Sequence, residues 1–291
     1  MQSIKEILRL HQMWLKNPSK GKQGDLSGID CSKFDFTGMD LSLIRASHAI
    51  FTEAKFVNAK CYKAHFYKSH FAGANCQLGD FSKANLIGTN CSGTNFTGAN
   101  CSEVLLATAN LFSACLENAD FSNSICEEAN FANATCTKTN FTQANCYRAT
   151  FNWAYCYITD FSRTNMRQTN CWAATFQEAN CFDTDFNSSN CHGATFTKAN
   201  LEKASFAEAN ISSTIFDIPI RRLDFGGWSV CIREDATTIG CCHHSNKDWL
   251  SWTPKSPEIK AMHSKASEWW ATYGSLVKMA IRNTMKRAKK K

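Results

Sequence analysis

Nowhere in this chain do eighteen apolar residues run together, so nothing in it has the length and apolarity of a membrane-crossing helix. The opening MQSIKEILRL sets charges where a secretory leader would need an apolar run. Acyl-transfer, phosphate-loop, zincin and dinucleotide motifs are all missing. His48, His65, His70 and His192 have no carboxylate or serine at a fixed spacing. No enzyme is expected from these residues. There is also no CxxC knuckle, although the chain holds 16 cysteines. Twelve of them share one register with Phe and Leu, the usage of a free thiol as a small buried hydrophobe, which suits a reducing cytoplasm.

What the middle of the chain has is a period of five. From Cys31 to Phe216 every fifth residue is Phe, Cys, Leu, Met or Ile, Ala46 excepted, which makes 38 consecutive units. Five is neither the 3.6 of a helix nor the 2 of a strand, so the block reads as a solenoid, a fold that presents surfaces. Two residues before each centre, 33 of 38 positions are Ala, Thr, Ser or Gly (21, 8, 3 and 1). Immediately before it Asn, Asp or Thr dominate, as in Ala129-Asn130-Phe131. On an extended backbone residues two apart face the same side, so the small residue and the centre both point inward. A corner must then reset the phase once per unit. Four corners close a coil of about twenty residues stacking at roughly 4.8 Å, a rod on the order of 45 Å long. Phe121, Phe141 and Phe161 are expected over one another, as are Phe176, Phe196 and Phe216. Ile29, Phe34, Met39 and Ile44 replace the small residue, which predicts a wider or distorted first coil.

The pattern A(N/D)(L/F/C)xx over about 190 residues resembles the pentapeptide-repeat family. The resemblance implies a β fold, a right-handed quadrilateral β-helix, over residues 25–218, flanked by an N-terminal capping helix and linker in 1–24 and a small α+β segment in 219–291. An LxxHxxWL stretch from Leu8 to Leu15 and a tail of the form IGCCxH…W…WW resemble members from bacteriophage and prophage genomes. Quinolone-resistance and gyrase-inhibiting members are acidic mimics of duplex DNA, which makes a type II topoisomerase (DNA gyrase) one implied partner.

The ends carry the positive charge. Residues 1–24 sum to +4, 25–216 to −4 and 217–291 to +7, the total being +7. Ser3-Ile4-Lys5-Glu6 reads as a capping box opening a helix over 4–16 whose apolar face covers the first coil. Past Phe216, Pro219, Gly226 and Gly227 mark a boundary. Trp228 to Arg233 alternates like a strand, Glu234-Asp235-Ala236 suits a turn, and Thr237 to Cys241 is its hairpin partner. A single long helix is predicted from Ser256-Pro257 to the basic end Lys286–Lys291. Ile259, Met262, Trp269, Tyr273 and Leu276 lie on its heptad seam, either capping the rod or pairing two copies of the chain.

Cys231, Cys241, Cys242, His243 and His244 have zinc-ligand chemistry, but adjacent pairs cannot all converge on one ion, and a hairpin with partly buried thiols is expected. No metal or cofactor is expected elsewhere. Outward positions are mostly Ser, Thr, Lys, Asn or Glu, except in 147–182, where Tyr147, Trp153, Tyr155, Tyr157, Trp172 and Phe182 stand off the centre register with Arg148, Arg163 and Arg167 among them. Grouped aromatics and arginines have the composition of a binding hot spot. The leading expectation is a non-enzymatic, phage- or prophage-derived rod that binds a host or phage protein through this patch, with Arg163 and Arg167 beside Trp153 and Trp172. DNA mimicry, direct nucleic-acid binding through the basic tail, self-association and a structural or assembly role are the alternatives.

Overall fold

The structure is a computed structural model that describes residues 3–206, 208–211, 213–216, 223–225, 228–232, 236–239 and 242–288. Its middle is a continuous coil. Single parallel bridges join residues twenty apart, from Asp25↔Arg45 to Thr195↔Ile215, so each turn of the coil takes twenty residues and each of its four faces takes five. The residue before each centre makes the bridge; Arg45 N, for example, donates to Gly24 O at 3.0 Å, while Leu26 N donates to Arg45 O at 2.7 Å.

The phase reset falls on the two residues after each centre. The small residue's N–H closes the turn on the centre's carbonyl, as Ala144 does on Phe141 at 2.9 Å. The second turn residue takes a positive φ in all 38 turns from Gly28 to Ser213, 31 of them not glycine. Such a backbone costs L-residues energy, and the Asn or Asp ahead of the centre offsets it. Its Oδ1 accepts from the first turn residue's N–H, as in Ser122 N to Asp120 and Thr142 N to Asn140, both 2.9 Å. The Asn or Asp that stands before the corner thus holds it through the side chain, while others, such as Asn123 and Asp183, occupy the corner itself. The same amides also tie coil to coil, Asn130 Nδ2 donating to Asn110 Oδ1 at 3.1 Å and Asn165 to Asn145 at 2.9 Å.

Inside, the centres stack as the register requires. Phe141 lies between Phe121 at 5.4 Å and Phe161 at 5.2 Å, and Phe196 between Phe176 at 4.6 Å and Phe216 at 5.2 Å, all near parallel. Threonine substitutes for alanine in the small position because its hydroxyl reaches a backbone carbonyl, Thr139 Oγ1 donating to Leu116 O at 2.7 Å. The twelve centre cysteines are buried free thiols.

The first coil is regular, against expectation: its bridges Asp25↔Arg45 and Asp30↔Ile50 match those that follow. With no coil beneath it there is room for large side chains, and Phe34 and Met39 line a groove of about 730 Å³ with Leu8 of the first helix. That helix, α1 (Ile4–Lys16), buries Ile7, Leu8 and His11. The Ser3 hydroxyl caps Glu6 N at 3.2 Å, while the Glu6 carboxylate turns to Arg9 at 2.8 Å instead of completing the box. His11 Nδ1 accepts from Gly24 N at 3.1 Å, which joins α1 to the start of the coil. Gly21 must lack a Cβ, since one would lie 2.1 Å from Trp14 N.

The C-terminal segment is a four-stranded antiparallel meander in the order β1 (Leu223–Phe225), β2 (Trp228–Ile232), β3 (Ala236–Ile239), β4 (Cys242–Ser245). The expected hairpin is β2–β3, with Val230 opposite Ile239 and Ile232 opposite Thr237; β1 and β4, too short to show alternation, were not anticipated. Pro219, Gly226, Gly227, the turn at 234–235 and the 218/219 boundary lie outside the described residues. Three helices follow: α2 (Asn246–Ser251), α3 (Pro257–Met262) and α4 (Ala266–Ala288). The single long helix is therefore corrected to two, because His263 is extended (φ −170°) after Met262. Its seam survives the break, with Ile259, Trp269, Tyr273 and Leu276 buried and Met262 packed partly against the core. The seam faces its own chain, where the Tyr273 hydroxyl accepts from Glu208 N of the last full coil at 2.6 Å. These seam residues are therefore engaged within the chain.

Candidate docking surface

The turn pairs line four edges of the rod, named in chain order from Ser27/Gly28, Ser32/Lys33, Thr37/Gly38 and Ser42/Leu43 and repeating every twenty residues. Most of these side chains point outward and are at least partly exposed to solvent, Ser82 being a buried exception. Trp153 and Trp172 are both on the second edge, one coil apart, their rings perpendicular at 4.9 Å and 56% and 40% exposed. Backbone register brings them together, Trp153 N donating to Trp172 O at 3.0 Å. Tyr155 stands on the face after that edge, 6.2 Å from Tyr157 on the third edge. Beneath the pair, the buried Oδ1 of Asn152 has no hydrogen-bond partner.

The remaining predicted residues are elsewhere. Tyr147 and Arg167 are on the first edge: Arg148 lies over the Tyr147 ring at 5.0 Å, the Tyr147 hydroxyl donates to Gln168 Oε1 at 3.0 Å, and Arg167 pairs with Asp185 at 3.5 Å. Arg163 and Phe182 are on the fourth edge, diagonally across the coil from the tryptophans, with Lys203 over the Phe182 ring at 5.0 Å. The expected single aromatic-arginine patch is thereby corrected. A stretch of 36 residues winds nearly twice around a twenty-residue coil, so neighbours in sequence part company in space. Tyr157 is also tied down, its hydroxyl donating to Glu178 Oε2 at 3.3 Å beside the Lys198–Glu178 ion pair; the nearby carboxylate, burial and this bond raise the phenol's proton affinity.

What sequence reasoning missed is the charge map of the four edges. Between Ala72 and Ile215 there are 19 charged residues, 12 acidic and 7 basic. All of them belong to the first, third and fourth edges or to the faces among those. The second edge and the two faces flanking it hold 31 outward positions in that span and no Asp, Glu, Lys or Arg. Phe112, Trp153 and Trp172 form its ridge, with Ala132, Ala173 and Gly193 between and beyond them. One flanking face carries Asn90, Asn110, Asn130, Asn170, Asn190 and Asn210; the other carries Thr135, Tyr155, Thr175, Thr195 and Ile215. Sorting the sequence by position modulo twenty would have exposed this, a period that only the closed coil supplies.

Among the described residues no group of His, Cys, Asp and Glu can hold a metal ion. The side chains of Cys231, Cys241 and His243 lie outside the described residues, as do those of Lys286 and Arg287 and all of Lys289–Lys291. Among the described residues no helix is long and apolar enough to cross a membrane.

Residues 49–88, 74–111, 89–125, 126–155 and 184–217 match the family model described as pentapeptide repeats, in eight copies. The repeat block is of the pentapeptide-repeat family. Pentapeptide-repeat proteins form right-handed quadrilateral β-helices, in keeping with the four-faced coil seen here. HetL, a pentapeptide-repeat protein involved in heterocyst differentiation regulation from the cyanobacterium Nostoc sp., is 18% identical over 78% of this chain and 98% of its own, with a TM-score of 0.55. A pentapeptide-repeat protein of the Arabidopsis thaliana thylakoid lumen is 30% identical over 34% of this chain and 63% of its own, with a TM-score of 0.25. QnrB1, a plasmid-mediated fluoroquinolone resistance protein, is 16% identical over 70% of this chain and 89% of its own, with a TM-score of 0.32. HetL shares the fold; none of the three is close enough to lend this chain an activity. No curated protein matches the chain.

Proposed function

We propose that this pentapeptide-repeat chain is a non-enzymatic protein-interaction rod and that a protein partner docks on its uncharged second edge. The observation that carries this is the exposed, perpendicular Trp153–Trp172 pair at the middle of a side without charge. Interface cores are depleted in charge and enriched in Trp and Tyr, and beyond their contact with each other these half-exposed rings leave much apolar surface in water. In its finer form the proposal makes the rod phage- or prophage-derived and lets it modulate or inhibit a protein of the bacterial host in the cytoplasm. A mimic of duplex DNA needs a continuous acidic face. Here the acidic residues are interleaved with basic ones, as in the Lys83–Glu103 and Arg148–Glu128 pairs, and the charge pattern favours the neutral side over mimicry of gyrase-bound DNA.

The test is capture from the native host with the wild-type chain and with a Trp153→Ala, Trp172→Ala double variant, followed by direct binding of whatever protein is retained. The double variant should keep its β signal and stability and bind the retained protein more than tenfold more weakly, as expected of paired hot-spot truncations. Equal capture by the two, or an unfolded double variant, would end the proposal.

A further inference from the structure

We infer that the open edge of the first coil is a second docking site, which takes an extended peptide segment of another protein as an added strand. The segment carries a bulky apolar residue with an acidic residue beside it. The site lies at the end of the rod, beneath Asp35 and Thr37, and is independent of the uncharged side.

Unpaired backbone is the first ground. Within the rod each coil is paired with the one before it: Lys55 N donates to Phe34 O at 3.0 Å, Lys55 O accepts from Phe36 N at 2.7 Å, and Val57 O accepts from Gly38 N at 2.9 Å. One coil earlier the same three groups are the N–H and carbonyl of Asp35 and the carbonyl of Thr37. None of the three has a hydrogen-bond partner among the described residues, and the equivalent groups of Asp30 and Ser32 have none either. Donors and acceptors set out as in a ladder are complemented by the backbone of another strand. Of the devices that block such edges, α1 and the linker after it reach only the stretch from Asp40 to Ile44. There Gln12 Nε2 donates to Asp40 O, Gln23 Nε2 donates to Leu43 O at 2.7 Å, and Ile44 is fully buried. No proline stands anywhere in the coil.

The groove beside that edge is the second ground. Leu8, Phe34 and Met39 line about 730 Å³, a volume in the range of sites that hold a ligand. Phe34 and Met39 stand where 21 of the 38 units place Ala, and both keep part of their surface in water, whereas Ile44 in the same position keeps none. At Gly38, also on the rim, an added Cβ would meet nothing within 4 Å, so entry is clear. Alternate side chains of a strand point to one side, so a strand under Asp35 turns one of them into the groove. Charge is the third ground. Arg9 on the rim is paired with Glu6 at 2.8 Å, and the Asp35 and Asp40 carboxylates accept their own turn amides. Lys5 and Lys60, on the same rim, have no ion pair among the described residues, which suits an acidic residue next to the apolar one.

The experiment pans a display library of short randomised peptides against the purified full-length chain, with a Phe34→Ala, Met39→Ala double variant as counter-selection. Both substitutions restore the alanine common at this position, so circular dichroism should be unchanged. Enriched peptides should pair a bulky apolar residue with Asp or Glu, bind the wild type saturably, and bind the double variant about tenfold more weakly or worse. Each enriched peptide is then made in two forms, with odd or with even backbone nitrogens methylated. Every second N–H of a strand faces its neighbour, so the two forms should differ by about tenfold or more in binding the wild type. That comparison needs no variant, and it decides the matter even if the double variant unfolds. No enriched peptide, equal binding by a folded double variant, or equal binding of the two methylated forms would overturn the added strand. Self-association of the purified chain that the double variant abolishes would assign the edge to a second copy and overturn it as well.

Discussion

At the scale of the residue, each unit divides labour among five positions: a stacked centre, two turn residues, a small residue and an amide that serves both turn and ladder. Phe141 tests the centre. Packed between Phe121 and Phe161 with no exposure, it should cost roughly 3 to 5 kcal/mol on truncation to Ala, since neighbours locked in a ladder cannot collapse into the void. Chemical denaturation measures this, and a loss below about 1 kcal/mol would contradict the register. Lys138→Ala, at an outward turn position, should be nearly silent. The centres, the small residues and the Phe stacks were all legible in the sequence, because burial recurs there at one fixed spacing. The outward residues were not, since their spacing of five says nothing about which of four edges they share.

At the scale of the element, each end segment packs against the coil. At the first end the decisive contact is Gly24 N–H to His11 Nδ1, which requires an unprotonated ring nitrogen. Burial lowers the proton affinity of His11 below the usual imidazole range, while Asp40 and the Ser42 backbone oppose that in part. The unfolded ring titrates near 6.5, so below that pH the unfolded state holds more protons than the folded one. Cap docking should therefore contribute fully above about pH 6.5 and weaken as the pH falls through the lower folded value. A thermal-melting series read from Trp14 fluorescence should show this acid-side loss in the wild type and lack it in His11→Gln; identical pH profiles would exclude the latch. Of the two end segments, α1 was readable from its capping serine and helical period. The second was readable only as a seam, for the break at the extended His263 and the short strands β1 and β4 leave no period in the sequence.

Across the whole molecule, thiols and rings lie inside, and between Ala72 and Ile215 charge keeps to three edges while the Trp153–Trp172 pair stands on the uncharged second. The thiols report on this. Burial pushes Cys91 up to about 12 and raises Cys61, Cys76 and Cys101 well above the ordinary thiol range; for Cys146 the hydrogen bond with Cys126 leads, with burial behind it. A thiol reagent at neutral pH should label Cys115, exposed on the neutral side, promptly and Cys242 partly, and reach the twelve centre cysteines only after denaturation. Mass spectrometry of labelled peptides reads the outcome, and rapid native labelling of Cys136 or Cys156 would mean that the coil opens.

By itself the sequence determined the repeat, its inward register, its narrow core of stacked centres with alanines beside them, and the helix that covers its first coil. Those follow from local rules, since burial and turn chemistry are set within each five-residue unit. Which distant residues become neighbours was decided only by closure of the coil at twenty residues. Closure placed Trp153 against Trp172, sent Arg163 and Phe182 to the opposite edge, and gathered 31 uncharged positions onto one side, because proximity around a square coil depends on position modulo twenty and not on distance along the chain.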